Sequence, residues 1–159
     1  MPLRNRYLIE GPALVFLTTS RYLRRPFPGG YDYFPVIEEI IFRTAREKSI
    51  KLMGYVLMPT HIHLIAGSGD GGKGISRFVH SFKGRIRETI QGKGKFWQDR
   101  YDDLLLKSEK QFRTKLNYIH YNPVRAGLVR NPEDWIYSSY RDWKEGSSRR
   151  GITLDFDWL

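Results

Sequence analysis

Residues 52–66 read LMGYVLMPTHIHLIA, and this stretch decides the fold. It holds two runs rich in apolar and β-branched residues, 52–58 and 62–66, on either side of the dipeptide Pro59-Thr60. Runs of this length and composition favour β-strands, and a proline between them favours a turn. The stretch therefore predicts two neighbouring strands joined by a short corner.

The rest of the chain places further elements on either side of this strand pair. Apolar residues recur at helical spacing in some segments, and others are β-rich. In chain order these are a strand at 13–19, a helix at 35–49, a helix at 75–91, a strand within 96–106 and a helix at 109–122. Pro123 is expected to end the last helix, because the residue before a proline is pushed out of the α region.

The order of these elements predicts an α+β fold. Strand, helix, strand, strand, helix, strand is the split βαβ, ferredoxin-like pattern, an antiparallel sheet with helices packed on one face. The helix at 109–122 is then an added C-terminal helix. We expect a single domain over residues 1–159, with 144–159 as a flexible or extended tail.

The composition narrows the class of protein. The chain has 159 residues and no cysteine, which excludes a disulfide scaffold, a cysteine-based zinc site and a thiol nucleophile. The sequence has no run of 18 apolar residues and no signal-peptide core at its N-terminus. We therefore expect a soluble, cytoplasmic domain that does not associate with membranes.

The charge of the chain indicates a polyanionic partner. The net charge is +10, and residues 61–100 hold eight basic and three acidic side chains, which is half of that excess. Such a concentration of positive charge is typical of proteins that bind nucleic acid, and an anionic membrane surface is the main alternative.

Two of the four histidines lie on the second strand of the pair. Alternate side chains share one face of a strand, so His61 and His63 point one way while Ile62 and Leu64 point the other. Two imidazoles on the same face can approach one metal ion. The plainer interpretation is a pair of hydrogen-bonded histidines on a half-exposed sheet.

The helix at 109–122 carries a polar line beside its apolar stripe. Gln111, Lys115, Tyr118 and Asn122 share a sector of the helix about 100° from the apolar residues. Tyr118 and Asn122 are therefore one turn apart on the same line. Tyr118 is equally well explained as a boundary residue at the edge of the core, and Lys115 as a solvated lysine.

Together, the histidine pair and the polar line of the helix at 109–122 could form a metal site with a nucleophile beside it. Two imidazoles and the amide oxygen of Asn122 can hold a divalent cation and leave positions open for substrate oxygens. Tyrosine, with a pKa near ~10, is a poor nucleophile unless the phosphorus that it attacks is strongly polarised. Lys115 could stabilise a phenolate or hold a phosphate.

The same residues resemble a known family. The segment 54–64, GYVLMPTHIHL, resembles the His-hydrophobic-His strand of the single-tyrosine (HUH) transposases, and 118–129, YIHYNPVRAGLV, resembles their tyrosine helix. The segments FWQDRY at 96–101 and WIYSSY at 135–140 are similar to the subgroup associated with repetitive extragenic palindromes (REP) in bacteria. The likeness spans about residues 13–143.

The resemblance implies a role for each site residue. His61, His63 and Asn122 would bind Mg²⁺ or Mn²⁺, and Tyr118 would be the nucleophile. The family cleaves single-stranded DNA by transesterification, leaving a 5′-phosphotyrosine and a free 3′-hydroxyl, and rejoins it without ATP. Two imidazoles would suit zinc as well, so the choice of magnesium or manganese rests on the resemblance.

The resemblance also implies a partner, since family members recognise a DNA hairpin beside the cleavage position. The candidate phosphate contacts are Lys83, Arg85, Arg87, Lys93, Lys95, Arg100 and Arg125. Phe96, Trp97 and Tyr101 could stack on unpaired bases, although Trp97 would also suit the core. The enzyme would act as a monomer or as a homodimer that exchanges tyrosine helices.

A second class of function also fits this fold. Ferredoxin-like sheets often bind single-stranded RNA through exposed aromatic residues, so a non-catalytic nucleic-acid-binding module is the alternative. The octapeptide rich in glycine and phenylalanine that is typical of such modules is absent from the sequence. The sequence therefore favours the enzyme.

Overall fold

The computed structural model describes residues 9–90, 94–148 and 150–155. The predicted elements occur there in the predicted order, with one short helix added after them. Their bounds are β1 (Ala13–Ser20), α1 (Phe34–Glu47), β2 (Ile50–Leu57), β3 (His61–Ser68), α2 (Gly71–Ile90), β4 (Asp102–Leu106), α3 (Glu109–Arg125) and α4 (Tyr140–Glu145). Across the described ranges, no helix combines the length and the apolar character needed to cross a membrane.

The four strands form one antiparallel sheet in the order β2-β3-β1-β4. This is the strand order of the split βαβ arrangement, so the predicted ferredoxin-like fold is confirmed. In the centre of the sheet, the register of β1 and β3 pairs Thr18 with His63 and Ser20 with His61. The histidine end of β3 therefore faces the C-terminal end of β1.

Helices α1 and α2 cover the face of the sheet that carries Leu64. Tyr55 pairs with Leu64 across β2 and β3, so both side chains share that face, and the Tyr55 ring contacts Phe42 of α1 at a centroid distance of 5.2 Å. Both helices present apolar residues at helical spacing, as the sequence predicts. The buried residues of α2 include Ile75, Phe78, Val79, Phe82 and Ile86.

Helix α3 covers the opposite face, where the histidines point. Its Leu116 lies over Gly54 of β2, and a Cβ atom at residue 54 would be only 2.7 Å from Leu116 Cδ1. Glycine at this position therefore lets α3 approach the sheet closely. This close packing brings the polar line of α3 down onto β3.

Helix α3 continues through Pro123 to Arg125, so the prediction that Pro123 ends the helix was wrong. The helix ends two residues after the proline, at a Schellman motif: Gly127 has φ 74°, its N–H donates to Val124 O, and Leu128 N–H donates to Pro123 O. The proline ring is buried. The packing and the well-satisfied helix end outweigh the local preference against helix before proline.

The described part of the segment predicted as a tail lies against the sheet. Residues 144–145 complete α4, and Ile152 is buried in the core. Thr153 N–H donates to Leu52 O at 2.7 Å, and Arg150 pairs with the buried carboxylate of Glu38. These contacts hold the described residues 150–155 in an irregular, docked path. Residues 149 and 156–159 of the predicted tail lie outside the described residues.

Candidate active site

The two histidines of β3 lie side by side, as their alternation predicts. Their ring centroids are 4.7 Å apart and their planes are 77° apart. His63 is buried, with 5% of its surface exposed, whereas His61 at the strand end is half-buried. The pair therefore has one ring in the protein interior and one at the surface.

The hydroxyl of Thr18 determines how the His63 ring can be used. Because the register places the two residues opposite each other, Thr18 Oγ1 lies 2.8 Å from His63 Nδ1. When Nδ1–H donates to this hydroxyl, Nε2 keeps its lone pair. The free nitrogen of His63 then points toward α3.

Helix α3 brings Asn122 and Tyr118 to the same histidine. The Asn122 side-chain amide is 3.5 Å from His63 Nε2, and the centroid of the Tyr118 ring is 5.5 Å from that of His63. Tyr118 is 40% exposed, so its phenol is open to a ligand. The structure thus brings together all four residues that the sequence predicts for a metal and nucleophile site.

An aromatic ring and two cations surround Tyr118. Phe16 of β1 stacks on His63 at 5.4 Å and meets the Tyr118 ring edge-on at 5.9 Å. Lys115 Nζ lies 5.5 Å from the centroid of the Tyr118 ring, and the Arg125 guanidinium lies 4.7 Å from it. Lys115 is therefore half-buried beside the tyrosine, and the site holds two positive charges beside its phenol.

His61 has its own neighbours at the mouth of the site. Its Nδ1 lies 3.0 Å from Thr60 Oγ1 and 3.3 Å from Arg24 Nη1. Arg24 comes from the 3₁₀ turn Tyr22–Arg24, in which it and Leu23 both have left-handed φ values near 55°. A guanidinium can only donate, so His61 Nδ1 accepts this contact.

Burial keeps both histidines neutral. Loss of solvent, assisted by nearby positive charge that includes the Arg24 guanidinium, lowers the pKa of His63 to about 3 and that of His61 to about 4. A neutral imidazole is the form that binds metal. Both rings are therefore neutral at neutral pH, and a cation at His61 would have to replace Arg24 at Nδ1 or bind the other tautomer at Nε2.

The donor set fits a divalent cation that also binds substrate. His61 and His63 lie side by side on one strand, and Asn122 Nδ2 lies 3.5 Å from His63 Nε2, so rotation of the amide would turn its oxygen toward a cation there. Within the described residues, no group of three or more histidine and carboxylate side chains is placed to hold a metal. Two imidazoles and one amide oxygen would leave positions open for phosphate oxygens.

Sequence reasoning missed the partners of these residues. Phe16, Thr18 and Arg24 precede the histidines by about forty residues, and no local pattern marks them. The alternation of β1 indicates only that Phe16 and Thr18 share one face of a strand. Their contact with His63 depends on the register of β1 against β3.

The structure separates the predicted DNA contacts on α2. Lys83 and Arg87 line one hollow on the outer side of the helix. Arg85 points instead toward α1, where it pairs with Glu47 at 2.7 Å and donates to Thr44 Oγ1 at 2.9 Å. An arginine held in this way is poorly placed to contact a phosphate.

The other predicted DNA contacts have different surroundings. Lys95 is paired with Asp99 at 2.7 Å, and Arg100 is exposed. Arg125 lies beside Tyr118, as described above, and Lys93 lies outside the described residues. Among the predicted phosphate contacts that the structure describes, Arg125 is the one that contacts the Tyr118 ring.

Two of the three aromatic residues proposed for base stacking are buried. Phe96 and Trp97 are 2% and 8% exposed, and Trp97 Nε1–H donates to Lys83 O at 2.9 Å. Trp97 is thus a core residue, the second of the two interpretations that the sequence allows. Tyr101 is half-buried at the surface of the same segment.

Comparison with known proteins agrees with this geometry. The sequence profile of the family described as "Transposase IS200 like" matches residues 24–122. A REP-associated tyrosine transposase of Escherichia coli K12 is 25% identical over 143 residues, covering 89% of this chain and 85% of the relative. A Haemophilus influenzae protein provisionally assigned to the same group is 28% identical over 127 residues, covering 71% and 72% of the two chains.

A solved structure extends the similarity to nearly the whole chain. It is that of a REP-associated tyrosine transposase bound to a REP hairpin, and it matches with a TM-score of 0.79 and 25% identity. The match covers 99% of this chain and 96% of the solved one. Since the family profile spans more than half of the sequence, the chain belongs to the IS200-like transposase family, and its relatives are REP-associated tyrosine transposases.

Proposed function

We propose that this transposase cleaves and rejoins hairpin-bearing single-stranded DNA through a covalent bond to Tyr118, with Mg²⁺ or Mn²⁺ bound by His61, His63 and Asn122. One observation carries the proposal. The buried ring of His63 meets both the Asn122 amide, at 3.5 Å, and the exposed Tyr118 ring, at 5.5 Å between centroids. A ligand that reaches the histidine nitrogen therefore also reaches the phenol.

The proposed reaction exchanges one phosphodiester for another. The phenol oxygen of Tyr118 attacks phosphorus, the new bond joins this oxygen to phosphorus, and the bond to the 3′ oxygen breaks. The phenol gives up its proton as the bond forms, and the departing 3′ oxygen takes one up. The products are a 5′-phosphotyrosine and a 3′-hydroxyl, and the reverse attack by a 3′-hydroxyl rejoins the strand.

The residues around Tyr118 have separate roles in this reaction. A divalent cation held by the two imidazoles and the amide would polarise the phosphate. Lys115 and Arg125 lie beside the phenol and would stabilise negative charge on its oxygen and on the phosphate. Phe16 packs against both His63 and Tyr118 and fixes their relative position.

The DNA partner is inferred from the relatives and from the charge. The similar solved structure is described as bound to a REP hairpin, and this chain carries a net charge of +10. The exposed face of α2 carries Lys73 and Arg77 on the side of the molecule away from α3. We propose that these residues contact phosphates of the hairpin.

The test is an assay for covalent DNA adducts. Labelled hairpin DNA with single-stranded flanks is mixed with wild-type protein and Mn²⁺, Mg²⁺ or EDTA, and denaturing gels detect a slower band. We expect an adduct with metal and none with EDTA. Tyr118→Phe should abolish the band, whereas Tyr121→Phe should keep it, because Tyr121 lies on the same helix with a similar exposure of 42%.

Two results would overturn the proposal. An adduct that persists in Tyr118→Phe would assign the nucleophile to another residue. Tight, salt-sensitive binding of hairpin DNA without any adduct, with or without metal, would favour the non-catalytic binding module. In that case His61→Ala would leave the affinity unchanged.

A further inference from the structure

A hollow on the far side of the sheet from α3 is not used by the proposed reaction. It lies between the outer side of α2 and residues 97–101, and its volume is about 300 Å³. Val79 and Trp97, both buried, line it together with Lys83, Arg87 and Tyr101. The hollow therefore combines apolar and aromatic surface with two cations.

Gly84 keeps this hollow open. It lies in the middle of the 20-residue helix α2, lines the hollow and is exposed. A Cβ atom at this residue would have no neighbour within 4 Å, and its φ is in the ordinary helical range. Glycine inside a helix is destabilising relative to alanine. Neither packing nor backbone geometry requires a glycine here, and its lack of a side chain leaves room for a ligand against the helix backbone.

The Lys83 ammonium is held over aromatic surface. Its Nζ lies 5.7 Å from the centroid of the Trp97 ring and 6.0 Å from that of Tyr101, with a long contact of 3.5 Å to Gln98 O. Burial lowers the pKa of this lysine, so its charge is poorly solvated. The carboxylate that lines the hollow, Asp99, is held by Lys95 at 2.7 Å. An anion entering the hollow would thus meet an incompletely neutralised cation.

The segment that lines the hollow is hydrogen-bonded to the end of β1. Gln98 N–H donates to Ser20 O at 3.0 Å, and Ser20 pairs with His61 across β1 and β3. Two steps between neighbouring strands amount to about 10 Å. Residues 97 and 98, at one wall of the hollow, therefore run beside β1, the neighbour of the strand that carries the histidines.

We infer that the hollow beside Gly84 binds one unpaired nucleotide of the DNA, with its phosphate between Lys83 and Arg87 and its base against Tyr101. This inference rests on the proposed function, which supplies the DNA. The base must be unpaired, because the faces of a base within a duplex are covered by its stacked neighbours. An aromatic ring beside a cation is the usual platform for such a base.

The test compares two hairpins of the same stem, one with single-stranded flanks and one blunt. Fluorescence anisotropy at fixed salt gives the affinity of each for wild-type protein and for Gly84→Leu, whose side chain would fill the hollow. We expect Gly84→Leu to weaken binding of the flanked hairpin about tenfold, as for the loss of one stacked base, and to leave the blunt hairpin unaffected. Gly84→Ala, with its small side chain, is the matched control.

Two charge variants test the inference without adding a side chain to the hollow. Lys83→Gln should weaken the flanked hairpin, whereas Arg85→Gln, with the same loss of charge on the same helix, should not, because Arg85 faces Glu47. Thermal unfolding checks that each variant folds.

Three outcomes decide the matter. Unchanged binding of the flanked hairpin by both Gly84→Leu and Lys83→Gln would overturn the inference. Equal losses for the flanked and blunt hairpins would also overturn it, since the hollow would then hold duplex phosphate. Failure of wild-type protein to bind either hairpin would instead refute the proposed function, and the inference with it.

Discussion

At the scale of single residues, the hydroxyl of Thr18 orients His63, a proposed metal ligand. Its contact of 2.8 Å with His63 Nδ1 fixes the rotation of a buried ring. It also favours the tautomer whose Nε2 is free to bind a cation. Threonine is therefore a positioning residue for the proposed metal site, although it touches no metal itself.

Replacement of Thr18 by valine should weaken metal binding. Thr18→Val keeps the shape of the side chain but removes the acceptor for Nδ1–H, and loss of such a partner typically costs about 10–100-fold in metal affinity. Titration calorimetry with Mn²⁺ on DNA-free protein measures this. Thr18→Ser retains the hydroxyl and should bind as wild type does. Equal affinities for all three proteins would show that Thr18 has no such role.

The buried histidines should make the fold sensitive to acid. The pKa of His61 is lowered to about 4, that of His63 to about 3 and that of His120 to about 4, whereas unfolded histidine titrates near ~6.5. Between these values the unfolded chain binds more protons, so stability is complete above about pH 6.5 and falls as the pH decreases. Each histidine contributes a slope of up to about 1.4 kcal/mol per pH unit.

Urea unfolding at pH 7, 6 and 5 measures this slope. His120 is hydrogen-bonded to Ser139 Oγ at 2.8 Å and is not a proposed metal ligand, so His120→Gln tests one histidine while keeping both ligand histidines. The slope of unfolding free energy against pH should be smaller in the variant than in wild type by up to about 1.4 kcal/mol per pH unit, whatever the overall stability of the variant. An identical slope in wild type and variant would contradict the assignment.

At the scale of elements, the fit of α3 on the sheet determines the site geometry. Two contacts hold the helix: Leu116 packs over Gly54, and His120 meets Ser139, whose hydroxyl accepts from Tyr55 N–H at 3.0 Å. The positions of Tyr118 and Asn122 follow from that of the helix, because they lie on the polar line beside its apolar stripe and meet His63 of β3. A small shift of α3 would therefore separate them from His63.

Gly54→Ala should destabilise the protein and weaken metal binding together. The added Cβ would lie 2.7 Å from Leu116 Cδ1, and overpacking of a core in this way costs about 1–3 kcal/mol. Urea unfolding measures the loss, and Mn²⁺ titration measures the second effect. Gly69→Ala is the matched control, since a Cβ there meets nothing within 4 Å. A Gly54→Ala protein as stable as this control would contradict the tight fit.

At the scale of the whole molecule, one chain supplies every residue of the candidate site. His61 and His63 come from β3, and Tyr118 and Asn122 come from α3 packed on the same sheet. The sheet separates this site from the outer side of α2, where a second concentration of basic residues lies. We therefore expect the active site to be complete within a single copy.

Mixing two inactive variants tests this expectation. His61→Ala protein lacks a proposed ligand, and Tyr118→Phe protein lacks the proposed nucleophile, so neither alone should form an adduct. If each site belongs to one chain, their mixture should also form none. Adducts at a substantial fraction of the wild-type level would show that two copies exchange tyrosine helices. Wild-type protein mixed with either variant is the positive control.

The sequence alone was sufficient to predict the helices and strands. It was also sufficient to predict which side chains share one face of each helix or strand. The alternation of His61 and His63 and the helical line of Lys115, Tyr118 and Asn122 are local, because side-chain direction follows from the backbone period of a strand or a helix. The order of the elements then indicated the ferredoxin-like sheet. The roles of these residues stay predictions until the adduct and metal assays are done.

The tertiary structure determined which of these side chains contact residues of other helices and strands. Thr18 reaches His63 only through the β1–β3 register, and Arg85 is paired because the packing of α1 places Glu47 beside it. Pro123 remains helical because its ring is buried and the Schellman motif at Gly127 closes the helix. Contacts between residues far apart in the chain depend on how the elements pack, and a periodic pattern within one element carries no information about its neighbour's register.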